Sequence, residues 1–360
     1  MNNIYLSIVA ASRNDNHGEN LDERTNLFIK SLAENCKRHK IPAELILVEW
    51  NQIPNVKTLS ERLDLISNNY LSSKIISVNQ EHHLKLPNSN YLQFFQMIAK
   101  NVGIRRASGK FVLATNIDVI INQKIYEFIS QNKLKEKTIY RCDRHCVDYD
   151  YSGNISDNHL NKYTNFIDRK YYSLDNKTKV RYYVYSSFYS ILKNFINGIF
   201  KRKNKSLIQK ISFENFKNIS KKISLYFKYF RVLPIFFFQK KLYTNACGDF
   251  TLLDKNSWLK MKGYCELPIY SWHLDSLFMW EARFKKYNFH DLDNKHFIYH
   301  VNHNFSGVVS HKEQMFINLE KKKIPYLTTE KFLDLALKLS KNPDYLKTNE
   351  FWGLQNENLN

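Results

Sequence analysis

In FVLATNIDVIIN, residues 111–122, a run that reads as a buried strand stops at Asn116-Ile117-Asp118 before apolar residues resume. Residues two apart on an extended segment point to one side, so this amide and carboxylate could present two oxygens to one small volume. Oxygen ligands at that spacing suit a hard cation such as Mg²⁺ or Mn²⁺ that also holds phosphate. Asn and Asp are equally the residues of a turn, and the stretch alone supports both readings. Other chemistry-bearing residues come late in the chain: Asp249 directly after Gly248, Asp275 at the head of a helical pattern, and three histidines in HFIYHVNHNFSG. A carboxylate at a helix start can accept a proton from a hydroxyl within hydrogen-bond reach, and it can also simply cap the helix.

The elements that must position these residues alternate. IYLSIVAAS and AELILVEWN read as β runs, separated by a helical stretch, NLDERTNLFIKSLAENCKRH, with acids near its start. A helix-like stretch over 59–69 and the strand KIISVN follow. YLQFFQMIAKNVGIRRASG then reads as a helix ended by Gly109, leading into KFVLATNID. Such alternation predicts an α/β fold, a mixed or parallel sheet flanked by helices. Ligands of such sheets gather at the carboxyl ends of the strands. Three of those ends are polar here: Ser12-Arg13-Asn14-Asp15, Glu49-Trp50-Asn51 and Asn116-Ile117-Asp118.

At 360 residues the chain can bury a substantial core, and its net charge of +20 points to a polyanionic partner. Between Lys193 and Lys241, 13 Lys and Arg face one acid, Glu214, and apolar residues recur at helical spacing. Basic amphipathic helices of this kind either lie on an anionic membrane surface or pack an apolar face on the core. No apolar run approaches the roughly 20 residues needed to span a bilayer. The N-terminus lacks the pattern of a signal peptide. Five scattered cysteines fit a reducing cytoplasm, and Cys142 and Cys146 lack a second Cys/His pair for zinc.

Taken together, AKNVGIRRASGKFVLATNID (99–118), Gly248-Asp249-Phe250, Trp258, Gly263-Tyr264-Cys265-Glu266 and His273-Leu274-Asp275-Ser276 resemble the GT-A glycosyltransferases of the family-2 type that build bacterial surface polysaccharides. The resemblance covers roughly residues 4–125 and 242–305. The first position of the acidic motif departs from it, being Asn rather than Asp. It implies a Rossmann-like sheet, a nucleotide-sugar donor and a divalent cation, Mn²⁺ or Mg²⁺. The implied metal ligands are Asp118 and Asn116, joined by His300 or His303. Asp275 takes the place of the catalytic base, with Asp249 competing. Ser12, Arg13, Asp15 and Glu49 match positions that meet base and ribose, while Asn101 and Arg105 lie on the helix facing the donor.

The organisation expected is a nucleotide-sugar half at 1–150, a basic aromatic helical insert at 151–241, an acceptor half at 242–310 and a helical tail at 311–360. The function implied is inverting transfer of a sugar to a glycan or lipid-linked acceptor, at the inner face of the cytoplasmic membrane. Residues 193–241 would meet the anionic lipid, and no nucleic-acid partner is expected. A sugar nucleotidyltransferase would carry a Gly-rich basic loop after the first strand, and AASRNDNHGEN has only Gly18. A non-enzymatic nucleic-acid- or membrane-binding protein would leave the polar strand ends unexplained.

Overall fold

A computed structural model describes residues 4–170, 172–182, 242–303, 312–346 and 351–359. The basic stretch 193–241 lies outside the described residues. The first half runs β1 (Leu6–Ser12), α1 (Leu21–Arg38), β2 (Ala43–Trp50), α2 (Leu59–Arg62), β3 (Leu71–Val78), α3 (Gln80–Leu84), α4 (Gln96–Arg106) and β4 (Phe111–Thr115). These strands make the parallel part of one sheet, in the spatial order β4-β1-β2-β3. Strands β1 and β2 are buried along their whole length. Their alternate residues divide between two cores: Val9, Ile46 and Val48 face one, Ile8, Leu45 and Leu47 the other. Helices on both faces of a sheet require just such continuous apolar strands.

Helix α4 can close on this sheet because position 103 is glycine. A Cβ there would meet Val9 Cγ1 at 2.5 Å and Val48 Cγ2 at 3.1 Å. The helix predicted over 59–69 is a single turn, α2, started by a reciprocal Thr58–Glu61 capping box and ended where Leu63 is extended.

After β4 the chain turns at Asn116–Asp118 and enters β5 (Val119–Ile121), which belongs to a second sheet. Then follow α5 (Gln123–Ser130), β6 (Thr138–Arg141), β7 (Asp143–Val147), α6 (Asp157–Lys162), β8 (Thr164–Asp168), β9 (Ser173–Asp175) and β10 (Val180–Tyr182). The described part of the expected helical insert, residues 151–182, therefore holds one short helix and three strands, which corrects the all-helical reading there. Those strands extend the second sheet, β10-β9-β8-β7-β13-β5. The last part supplies β11 (Phe250–Asp254), α7 (Lys255–Met261), α8 (Leu274–Phe284), β12 (Asn288–Asp291), β13 (Phe297–Val301), α9 (Lys312–Lys321) and α10 (Thr329–Lys341). Strand β11 pairs antiparallel with β4, completing a seven-stranded sheet of order β12-β6-β11-β4-β1-β2-β3. Both sheets are thus mixed, and helices flank them.

The tail closes over α4. Trp352 is buried beneath the guanidinium of Arg105, 4.7 Å from the ring centre, and Arg106 donates to the carbonyls of Gly353, Leu354 and Glu357. No helix among the described residues is long and apolar enough to cross a membrane. All five cysteines are free and buried.

Candidate functional site

Two register choices create the site. Antiparallel pairing sets Phe250 opposite Thr115, so Asp249 lies beside Asn116 where β4 ends. Pairing of β13 with β5 sets His300 opposite Val119, one residue beyond Asp118, and Val301 N–H bonds the Asp118 carbonyl at 2.9 Å. The site therefore sits where the chain leaves the first sheet for the second, at the carboxyl ends of β1 and β4.

Asp118 collects three cationic or imidazole groups. Its Oδ2 is 3.3 Å from Arg24 Nη1, 3.1 Å from His303 Nε2 and 3.7 Å from His300 Nε2. Burial works to raise this carboxyl, but His300, His303 and Arg24 outweigh it and hold the group far below the usual carboxylate range. Burial pushes His300 down, against the pull of Asp118. One ligand atom from each of Asp118, His300 and His303 lies within 4.8 Å of the others. Asp118 Oδ1 and His300 Nδ1 are buried, with no hydrogen-bond partner. An orphaned carboxylate oxygen beside two imidazoles fits a divalent ion, and imidazole donors match Mn²⁺ better than Mg²⁺.

Asn116 does not join this set. Its Oδ1 accepts from Lys100 Nζ at 2.6 Å and from Gln96 Nε2 at 2.9 Å, so both acceptor positions of the amide are taken. Its Nδ2 donates to Asp249 Oδ1 at 2.6 Å. The expected shared oxygen pair is corrected: residues 116–118 form the turn between the sheets, and the two side chains serve different partners.

The two carboxylates also differ. Asp249 receives side-chain donors on its two oxygens, from Asn116 and from the Arg144 guanidinium at 2.8 Å, where Asp275 receives backbone N–H groups. Asp275, in the first turn of α8, accepts from the Gly248 N–H at 2.8 Å and the Ser276 N–H at 2.7 Å. Burial raises its proton affinity despite these bonds, and the nearby charge of Asp249 adds to the rise. Lys100 has no exposed surface, and its charge is felt by Asp249, Asp275 and Asp118 alike, so the three acids occupy one neighbourhood.

The polar rim at β1 is tied to the same place. Arg13 bonds the Asn51 carbonyl at 2.9 Å and Asp15 at 3.1 Å, and Asp15 holds the His17 ring. Arg24 donates to the carbonyls of His17 and Glu19 while it pairs with Asp118. Gly18, at φ 73°, allows this approach, since a Cβ there would stand 2.5 Å from His303 Nδ1. Ser12 is buried, with its hydroxyl turned to the Arg13 carbonyl.

Three expected donor contacts are placed elsewhere. Glu49 is fully buried, and its oxygens receive the Leu59 N–H and Gln52 Nε2, which starts α2. Asn101 is buried against the 264–266 segment, bonding the Tyr264 backbone and Glu266. Arg105 faces Trp352 and Gln355 in the tail. These side chains fix loops and the tail rather than reaching the cluster. Conversely, Lys100, Arg24 and Arg144 enter it although none is among the expected site residues, Lys100 appearing only within the motif 99–118 that carries the resemblance.

Beside the site, His145 stacks face to face on Phe297, with ring centres 3.9 Å apart. Burial, with the charge of Arg169, pushes His145 down to about 3, while burial pushes Asp143 up to about 6 against Arg169. The unfolded chain protonates its histidine below pH ~6.5, and the fold does not, so the His145 contribution is lost as pH falls. Asp143 acts oppositely: its contribution is present below its unfolded value and lost as pH rises through about 6. His145→Phe keeps the stack and removes the first linkage. Between pH 6.5 and 5 it should gain about 2 kcal/mol on wild type in denaturant unfolding. Parallel pH–stability curves for the two proteins would show that His145 is not held neutral.

No family model matches the chain, and no curated protein matches it. Among the solved structures similar to it are two described as crystal structures of S. aureus TarS 1-349, the second in complex with UDP. Each is 11% identical and covers 96% of this chain and 74% of that one, with TM-scores of 0.37 and 0.36. At TM-scores this low a shared fold is not established, and the chemistry available is decided by the site's own geometry.

Proposed function

We propose that the chain is a glycosyltransferase that moves a sugar from a nucleotide-sugar donor to a glycan or lipid-linked acceptor in surface-polysaccharide synthesis. One observation carries the reading. A carboxylate with two imidazoles, Asp118 with His300 and His303, shares a neighbourhood with a second carboxylate of raised proton affinity, Asp275, at the carboxyl ends of parallel strands. Transfer needs both: positive charge for the departing diphosphate and a base for the attacking hydroxyl.

Asp118, His300 and His303 would hold a divalent ion, which when bound neutralises the diphosphate. Asp275 takes the proton of the acceptor hydroxyl as its oxygen bonds the anomeric carbon. The bond from that carbon to the diphosphate breaks, and its electron pair leaves with the phosphate. Attack opposite the leaving group inverts the centre. Arg13, Asp15 and His17 lie at the strand end where base and ribose would be gripped. Release of nucleoside diphosphate from a panel of nucleotide sugars tests the function.

The basic stretch 193–241 supplies, in this reading, the contact to the inner face of the membrane where a lipid-linked acceptor lies. Its attraction to anionic head groups is screened by salt. Sedimentation with anionic vesicles should weaken with added salt and with charge reversal of Lys201, Arg202, Lys203 and Lys205. Equal binding to neutral vesicles, or none to either, would remove the membrane from the proposal.

A further inference from the structure

Lys100 is an ammonium group without exposed surface on a helix whose other buried side chains are apolar apart from Asn101, and that amide is taken up by the Tyr264 backbone and Glu266. Packing alone would accept a leucine or methionine there, and burying a charge is costly unless its partners compensate. Its partners are neutral oxygens rather than carboxylates: Asn116 Oδ1 at 2.6 Å and the Gly248 carbonyl at 2.8 Å. Each partner passes the contact on to a different acid. With its oxygen occupied by Lys100 and Gln96, the Asn116 amide can only turn its NH₂ outward, and that group holds Asp249 at 2.6 Å. Gly248, whose carbonyl is pinned by the ammonium, directs its N–H to Asp275 at 2.8 Å.

We propose that Lys100 is a positioning residue that fixes Asp249 and Asp275 relative to each other, through the Asn116 amide and the Gly248 peptide. The proposal rests on the glycosyl-transfer reading only for its kinetic consequence. Because the ammonium touches neither acid, it orients both while leaving Asp275 to accept a proton. Its loss misplaces the reacting groups without removing any donor contact, so it acts on kcat and not on KM.

The experiment compares Lys100→Met, Asn116→Ala and the double variant in the full chain. Lys100→Met should lower kcat by about a hundredfold, the scale of a 1 Å misplacement, with KM within about threefold of wild type. The double variant should fall no further than Lys100→Met, because both act through one chain of contacts. A crystal structure of Lys100→Met should show Asn116 released from Asp249 and the Gly248 peptide displaced from Asp275. Wild-type kcat in Lys100→Met, additive losses in the double variant, or a parallel rise in KM would overturn the proposal. Should Lys100→Met fail to fold, Asn116→Ala carries the test by the same kcat loss at unchanged KM, and full kcat in it would overturn the proposal. If wild type turns over no nucleotide sugar, the function falls separately, and the crystal structure still decides. Both contacts unchanged in Lys100→Met would then refute the positioning role.

Discussion

Asp275→Asn should lower turnover by about a hundredfold or more, while nucleotide affinity stays near that of wild type. The amide keeps the shape of the side chain and one acceptor oxygen, but it cannot take a proton. It also turns an NH₂ toward one of the two N–H groups that Asp275 now receives, from Gly248 and Ser276. That mismatch should cost about 1–3 kcal/mol of stability, to be measured separately by unfolding. Asp249→Asn is the comparison. Asp249 receives the Asn116 amide on one oxygen and the Arg144 guanidinium on the other. If Asp275→Asn is active and Asp249→Asn is dead, the base is Asp249 and the raised proton affinity of Asp275 is only a consequence of burial.

The second large effect belongs to Asp118. Asp118→Ala should abolish transfer, but it also strands Arg24, which is 1% exposed and pairs with this carboxylate. Removing one partner of a buried pair typically costs about 3–5 kcal/mol, so that variant confounds chemistry with folding. Asp118→Asn retains an acceptor for Arg24 and removes the charge that would hold a cation. It should lose turnover by at least about a hundredfold and lose any response to Mn²⁺, with an unfolding transition closer to wild type than that of Asp118→Ala. Turnover in Asp118→Asn equal to wild type, still sensitive to chelator, would move the metal elsewhere.

Much of the fold was legible because the strands β1, β2 and β4 are continuous apolar runs and α1 carries a clear helical periodicity. The second sheet was not, since β5, β8, β9 and β10 are runs of only three to five residues, and β5 finds its partner β13 far along the chain. The same distinction runs through the site. Asp118, Asp249, Asp275 and the two histidines could be named from residue type and place, but their grouping depends on the pairing of β13 with β5 and β11 with β4. Glu49 and Asn101 look like ligand-gripping residues in sequence, and they are absorbed by internal N–H and carbonyl groups that only the folded loops bring near. Lys100 falls within the motif that carries the resemblance, but its burial and its partners could not be read there. Its neighbours on α4 point inward on every side, and a lysine in such a helix reads as surface until its two oxygen partners are seen.

The most direct measurement of the central claim is nucleoside diphosphate release by the full-length chain from a panel of nucleotide sugars, with Mn²⁺ or with excess chelator, alongside Asp118→Asn. Thermal stabilisation by each donor is read in parallel, so that binding without an acceptor also registers. The predicted result is one class of donor that stabilises the protein and is cleaved with Mn²⁺, with both effects lost in chelator and in Asp118→Asn. No stabilisation and no cleavage with any donor would contradict the glycosyltransferase reading.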